Sequence, residues 1–194
     1  MTDLDLVVLL AVRLRSRGDA SAIATAVHDL LGEAADQAIV DQALDTALGR
    51  GQVRRRGEVA RWSLTPAGEA ELNAQLAADL VGEDRADVVT AYEAFLPLNR
   101  RFLAACIVWQ DDPDGLDDFV ELVAAVVPIT DSLAVTRSRF AGYAPRLVGA
   151  LTEAAADPAW IDSPSRDSVH TVWFELHEHL LASLGKSRTD ERAG

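Results

Sequence analysis

Between Gly51 and Pro66 the chain abandons the 3.6-residue spacing of its apolar positions, and this brief change of period constrains the fold more than any other feature. Val53 and Arg55 alternate with Arg54 and Arg56, and beyond Gly57 the residues Ala60, Trp62 and Leu64 alternate with Arg61 and Ser63. Alternation on both sides of a glycine predicts a small β-hairpin. Helical patterns flank it. Leu4, Val7, Val8, Leu10 and Leu14 form one apolar face that stops at Arg17-Gly18. Asp19 or Ser21 caps a second helix through Leu31, which Gly32 ends. A third is predicted from about Glu33 to Leu48, with Ile39, Val40, Ala43, Leu44 and Ala47 on one arc, before Gly49-Arg50-Gly51 terminates it. Thr65 as N-cap, with Pro66 at the first helical position, opens a fourth.

Three helices, a hairpin and a helix are the order of a winged helix-turn-helix. Gly51-Gln52-Val53, a basic turn, and then Trp62-Ser63-Leu64-Thr65-Pro66-Ala67-Gly68-Glu69-Ala70-Glu71-Leu72 resemble the wing of MarR- and PadR-like transcriptional regulators. The resemblance covers roughly residues 1–80 and implies a DNA-binding regulator. In that reading the contacts to DNA come from Arg50, Arg54, Arg55, Arg56 and Arg61 around the wing and from Gln42 and Thr46 on the third helix. A winged-helix regulator of this kind binds a pseudo-palindromic site, so a homodimer is expected.

The charge distribution tests that expectation. The chain has 194 residues, with 31 Asp plus Glu against 18 Lys plus Arg, a net charge of −13. So large an acid excess argues against a protein whose whole surface binds polyanions. Residues 1–82 hold 8 bases and 12 acids, a net of −4, which leaves −9 for residues 83–194. Against this background the five arginines and Glu58 give +4 between Arg50 and Arg61. Arginines on a wing are placed for phosphates or a minor groove. The third helix opposes the reading: at about 100° per residue its outward arc holds Ala34, Ala38, Asp41, Gln42, Asp45 and Thr46, and two aspartates would face a phosphate-lined groove. A solvated hairpin tip, or a wing that binds another protein, are the alternatives.

The pattern changes near Val81-Gly82-Glu83-Asp84-Arg85, where a boundary divides residues 1–82 from an α-helical bundle at 83–194. The fold class is therefore mainly α, a winged helix-turn-helix followed by a bundle that dimerises, senses an effector, or both. Residues 87–109 carry the stripe Val88, Tyr92, Phe95, Asn99, Phe102, Cys106 and Trp109, and Pro97 is expected to kink or divide that helix. A second helix, from Gly115 to Phe140, has Leu116, Phe119, Val123, Val126, Thr130, Leu133, Arg137 and Phe140 on its stripe, with Pro128 inside. A third spans Tyr143 to Ala155 and a fourth runs from near Arg166 to Leu184.

On that last helix His170, Trp173, Phe174, His177, Leu180, Leu181 and Leu184 share an arc, while Glu175 and His179 point the other way. The spacing of His177-Glu178-His179 is not that of a zinc helix, and His170 and His177 stand roughly 10 Å apart along the axis. No metal or other cofactor is expected. Asp167 is placed to orient His170; Asn99, Tyr143, Arg137 and Arg139 are the polar groups on facing stripes. Two readings stay open: a buried polar network that fixes helix register, and a small-molecule pocket formed by Asn99, Trp109, Arg139, Tyr143, His170, Trp173 and His177, with Trp160 as a further wall. No catalytic residue is expected, because no paired nucleophile, oxyanion-hole signature or cofactor loop accompanies the histidines. Cys106, on an apolar stripe, reads as core.

Phe95-Leu96-Pro97-Leu98-Asn99 with Trp109-Gln110, the run Arg139 to Leu147, and Asp167-Ser168-Val169-His170-Thr171-Val172-Trp173-Phe174-Glu175-Leu176-His177-Glu178 are similar to the helical tail of short bacterial pyruvate,phosphate-dikinase-like (PEP-utilising) proteins. The chain has neither their ATP-grasp domain nor a glycine-rich swivelling loop with a phosphorylatable histidine. The resemblance implies a module and no activity. It supplies the rival to the regulator: a stand-alone regulatory or interaction module without DNA contact.

With 49% hydrophobic residues and a mean hydropathy of +0.06 the chain is one that folds. A single cysteine excludes an intramolecular disulfide framework and favours a reducing cytoplasm. The apolar run Leu6 to Val12 is too short for a signal sequence, and no stretch approaches the roughly 18 apolar residues that cross a bilayer. No membrane partner is expected.

Overall fold

Helix dominates a computed structural model that describes residues 4–32, 35–111 and 115–188. Its elements are α1 (Leu4–Leu14), α2 (Ala20–Leu31), α3 (Gln37–Gly49), β1 (Val53–Arg56), β2 (Arg61–Leu64), α4 (Pro66–Asp79), α5 (Gly82–Asp111), α6 (Leu116–Thr136), a 3-10 turn at Ser138–Phe140, α7 (Tyr143–Ala154), α8 (Ala159–Asp162) and α9 (Val169–Leu184). The fold is mainly α with one antiparallel β-hairpin, as the alternating period predicts. Two compact units are present: Met1–Gly82 together with Glu178–Gly194, and Glu83–His177.

In the first unit the caps are set by short polar side chains. Asp19 accepts from the Ala22 amide at 2.9 Å and Asp36 from the Ala38 amide at 2.9 Å, and Gly32 closes α2 in the left-handed conformation. The third helix starts at Gln37, and Glu33 and Ala34 lie outside the described residues. Ile39 departs from the predicted arc: it is 51% exposed, because Val40, Leu44 and Ala47 already fill the buried side of so short a helix. The core gathers α1, α2 and α3 with Val53, Trp62 and Leu64 of the hairpin and Leu72 and Leu76 of α4. Within the same unit Arg13 pairs with Glu178 at 2.9 Å.

A backbone pairing that no local pattern announces links the α1–α2 connection to the hairpin. Arg17 N donates to Trp62 O and Trp62 N donates to Gly18 O, both at 2.9 Å. This places the turn at Arg17 and Gly18 beside β2. There Arg17 has φ +68°, in the left-handed region that arginine seldom occupies.

In the second unit α5 is one continuous helix of 30 residues through Pro97, and α6 likewise runs through Pro128. A proline removes one amide donor and leaves the remaining ladder in place, so neither helix is divided. The sixth helix stops earlier than predicted, at Thr136, because Arg137 turns extended and its guanidinium pairs with Asp84 at 2.7 Å. The expectation that no segment approaches membrane-spanning length is corrected here. Among the described residues α6 has the length and apolar composition to cross a membrane, with mean hydropathy 1.7. Glu121 and Asp131 interrupt its sequence and hide this from a count of consecutive apolar residues. Its Phe119, Leu122, Val123, Val126 and Leu133 side chains are buried in the fold.

The last helix also differs from its prediction. Glu175 and His179, expected to point outward, are buried, and His170, expected at the centre of the buried face, is only half-buried. A helical wheel assigns one inner arc, whereas Val172, Trp173, Leu176 and Leu181 together with Glu175, His179 and Ala182 are buried around most of the circumference of α9.

Candidate functional site

The hairpin register fixes which arginines act together. Val53 pairs with Leu64, Arg54 with Ser63, Arg55 with Trp62 and Arg56 with Arg61. Because strand side chains alternate, Arg54, Arg56, Arg61 and Ser63 share one face, and Val53, Trp62 and Leu64 turn to the core. Arg55 follows the core side and lays its guanidinium over the Trp62 ring, 5.7 Å from the centroid. The exposed face is ordered by its own contacts. Arg54 Nε donates to Ser63 Oγ at 3.0 Å, and Arg61 Nη1 donates to the carbonyl oxygen of Arg17 at 3.0 Å.

An open hollow of about 540 Å³ lies on this face. Four arginines line it, Arg17, Arg54, Arg56 and Arg61, with Glu58 as the one acidic lining residue. Arg56 and Arg61 stand directly opposite each other across the ladder, an arrangement that costs energy unless an anion lies between them. Among the described residues none of the four arginines forms an ion pair with a carboxylate. Arg17 was not singled out from sequence; an arginine at a helix end reads as a cap, and its place in the hollow follows from the backbone pairing with Trp62.

The turn preceding α4 holds this hairpin in place. Thr65 N donates to Gln52 O at 3.0 Å, and the Thr65 hydroxyl accepts from Gly68 N at 3.1 Å and donates to Gly51 O at 2.6 Å. The Leu64-Thr65-Pro66-Ala67-Gly68 run is therefore a structural clasp in which the threonine caps and the glycine allows close approach.

Arg50 is set apart from the hollow: its Nη1 binds Asp5 Oδ2 at 2.7 Å, which offsets its charge. Gln42 and Thr46 are exposed on α3, with the Thr46 hydroxyl bonded back to Gln42 O at 2.8 Å. Asp41 and Asp45 are exposed on the same helix, and Asp41 accepts from Gln37 Nε2 at 2.8 Å.

In the second unit Asn99, Trp109, Arg139, Tyr143, Trp173 and His177 are buried and His170 is half-buried. Trp173 stacks on Phe102 with centroids 4.3 Å apart and donates its indole N–H to Asn99 Oδ1 at 3.1 Å. Phe95 contacts both Trp173 and His177, at 5.3 and 5.4 Å. His170 lies 4.4 Å from the Phe174 ring and 6.2 Å from Phe102, and Trp109 meets Phe119 edge-on. Arg139 is buried with its guanidinium over Phe140. Trp160 lies beneath the Arg166 guanidinium. Arg166 also binds Asp157, which holds that carboxyl below its ordinary range, with the Ala159 amide assisting.

Asp167 forms a bidentate ion pair. Both its oxygens accept from Arg146, at 2.6 Å each, and Arg146 also binds the buried Glu175 at 2.7 Å. Tyr143, buried beside them, has the Arg146 guanidinium 5.9 Å from its ring centroid. This cation between two carboxylates was not foreseen; an Arg and a Glu separated by 29 positions give no periodic signal.

Cys106 carries no reactive thiolate: burial, with the Asp162 charge adding to it, pushes its thiol up to about 11. Among the described residues no group of three or more His, Cys, Asp or Glu side chains is placed to hold a metal ion. No family model matches the chain, and no curated protein or solved structure shows significant similarity to it.

Proposed function

We propose that the chain is a DNA-binding transcriptional regulator of the winged helix-turn-helix kind, with the hairpin as its wing. The convergence of Arg17, Arg54, Arg56 and Arg61 on one hollow carries this reading. Four arginines that have no carboxylate partner among the described residues, on a chain that is otherwise acidic, favour a phosphate backbone or a narrow minor groove. The element order supports the winged-helix assignment, and the Arg17–Trp62 backbone pairing ties the α1–α2 turn to the hairpin. On this reading Gln42 and Thr46 approach the major groove, the protein acts in the cytoplasm as a dimer, and the helical unit serves dimerisation or effector sensing.

Anisotropy titration of labelled duplexes from the region upstream of its own coding sequence, repeated over a salt series, tests the reading. Affinity should fall steeply with salt and be abolished by Arg54→Glu with Arg56→Glu. Weak binding that ignores sequence and survives that double change would refute it. The exposed Asp41 and Asp45 on α3 favour the second reading, an interaction module without DNA contact, akin to the dikinase-like tail. The same titration decides between them.

A further inference from the structure

Whatever fills the hollow of the first unit meets four arginines and one glutamate, a local charge of +3, in about 540 Å³. That volume lies within the roughly 300–1,000 Å³ of small-molecule sites. A compact anion takes up the whole of this attraction. A duplex read by α3 would also face the exposed Asp41 and Asp45, on a chain whose net charge is −13.

The donors are set in advance. Arg54 Nε donates to Ser63 Oγ and Arg61 Nη1 to the carbonyl oxygen of Arg17, at 3.0 Å each, which leaves further N–H groups of both guanidiniums for a ligand. Arg56 stands opposite Arg61 in the ladder. Arg17 itself holds φ +68°, and non-glycine residues in that region gather at ligand sites, where surrounding contacts impose the strain. A single phosphate carries about −1.5 to −2 at neutral pH. Two phosphate groups therefore match a charge of +3 better than one.

We propose that the hollow binds a small molecule bearing a diphosphate or two neighbouring phosphate groups, and that such a ligand displaces DNA from the hairpin. The displacement rests on the regulator reading; the anion site stands without it.

Isothermal titration calorimetry of the full chain with inorganic pyrophosphate, at fixed ionic strength, tests the site, with circular dichroism as a check on folding. Binding should be saturable at one ligand per chain. Orthophosphate and sulfate should bind roughly tenfold more weakly or worse, since each forgoes charge-assisted hydrogen bonds, and Arg56→Gln should weaken pyrophosphate binding by the same factor. Glu58→Gln, which neutralises the one acidic lining residue, should tighten it severalfold, and this decides the matter even if the arginine variant folds poorly. Arg101→Gln, at an exposed arginine of α5 paired with Glu121, should leave it unchanged. No saturable binding, equal affinity for sulfate, or an affinity indifferent to both Arg56→Gln and Glu58→Gln overturns the site. On a labelled duplex, pyrophosphate should release DNA where sulfate of equal ionic strength does not, and simultaneous binding of both overturns the displacement. Pyrophosphate binding without DNA binding upholds the site and removes the regulator reading alone. DNA binding without pyrophosphate binding does the reverse.

Discussion

Gly68 packs so tightly on the backbone of Gln52 that a Cβ at residue 68 would stand 1.9 Å from the Gln52 carbonyl oxygen. Backbone on both sides leaves no flexible side chain to yield. Gly68→Ala is therefore expected to lower stability by ~3 kcal/mol, whereas the same change at an ordinary helix position raises it, and to loosen the hairpin. Chemical denaturation checks the first effect. Amide exchange at Gln52 and Thr65 checks the second.

Arg17 combines an unfavourable backbone conformation with a charge in the hollow. Replacing it by glycine removes the strain and the cation together. Arg17→Gly should raise stability by roughly 0.5–1 kcal/mol while lowering DNA affinity and the slope of its salt dependence by about one phosphate contact. A variant that gains stability with unchanged DNA affinity would take Arg17 out of the interface.

The indole of Trp173 has its acceptor in Asn99, both buried. Asn99→Leu should cost about 2 kcal/mol, chiefly by depriving a buried N–H of its acceptor. In the Trp173→Phe background the same change should cost much less. The coupling energy from this double-mutant cycle, read by urea denaturation, measures the bond.

The Cys106 thiol titrates at about 11 when folded, against an ordinary value of 9.0. Between these values the unfolded chain has lost the proton and the folded chain keeps it, so fewer protons are bound unfolded and stability falls as pH rises. The decline should begin near pH 9 and level off near 11. Comparison with Cys106→Ala isolates it from other groups titrating there. Alkylation by iodoacetamide at pH 8 should be slow in the native state and fast in urea.

What the sequence discloses follows the range of each interaction. Caps, the hairpin and the Thr65-Pro66 start depend on neighbours within a few positions, and Asp19, Gly32, Gly57 and Thr65 announce them. Arg54, Arg56 and Arg61 could be placed on one face from alternation alone. Arg17 could not, because its pairing with Trp62 joins segments with no shared period. Glu175 and His179 were turned the wrong way by a one-sided wheel, an approximation that fails for a helix buried around most of its girth. The Arg146 cluster with Asp167 and Glu175 joins α7, the loop before α9 and α9 itself, where only folding supplies the proximity.

The bond between Arg13 and Glu178 closes a separation of 165 positions inside the first unit. At about 5–20 residues per second of synthesis, α1 is made roughly 10–30 s before its partner. The helices and hairpin around it must wait through that interval without the segment that joins them last. Ribosome-bound chains halted before residue 178 should therefore expose the first unit to protease, and those released beyond it should not.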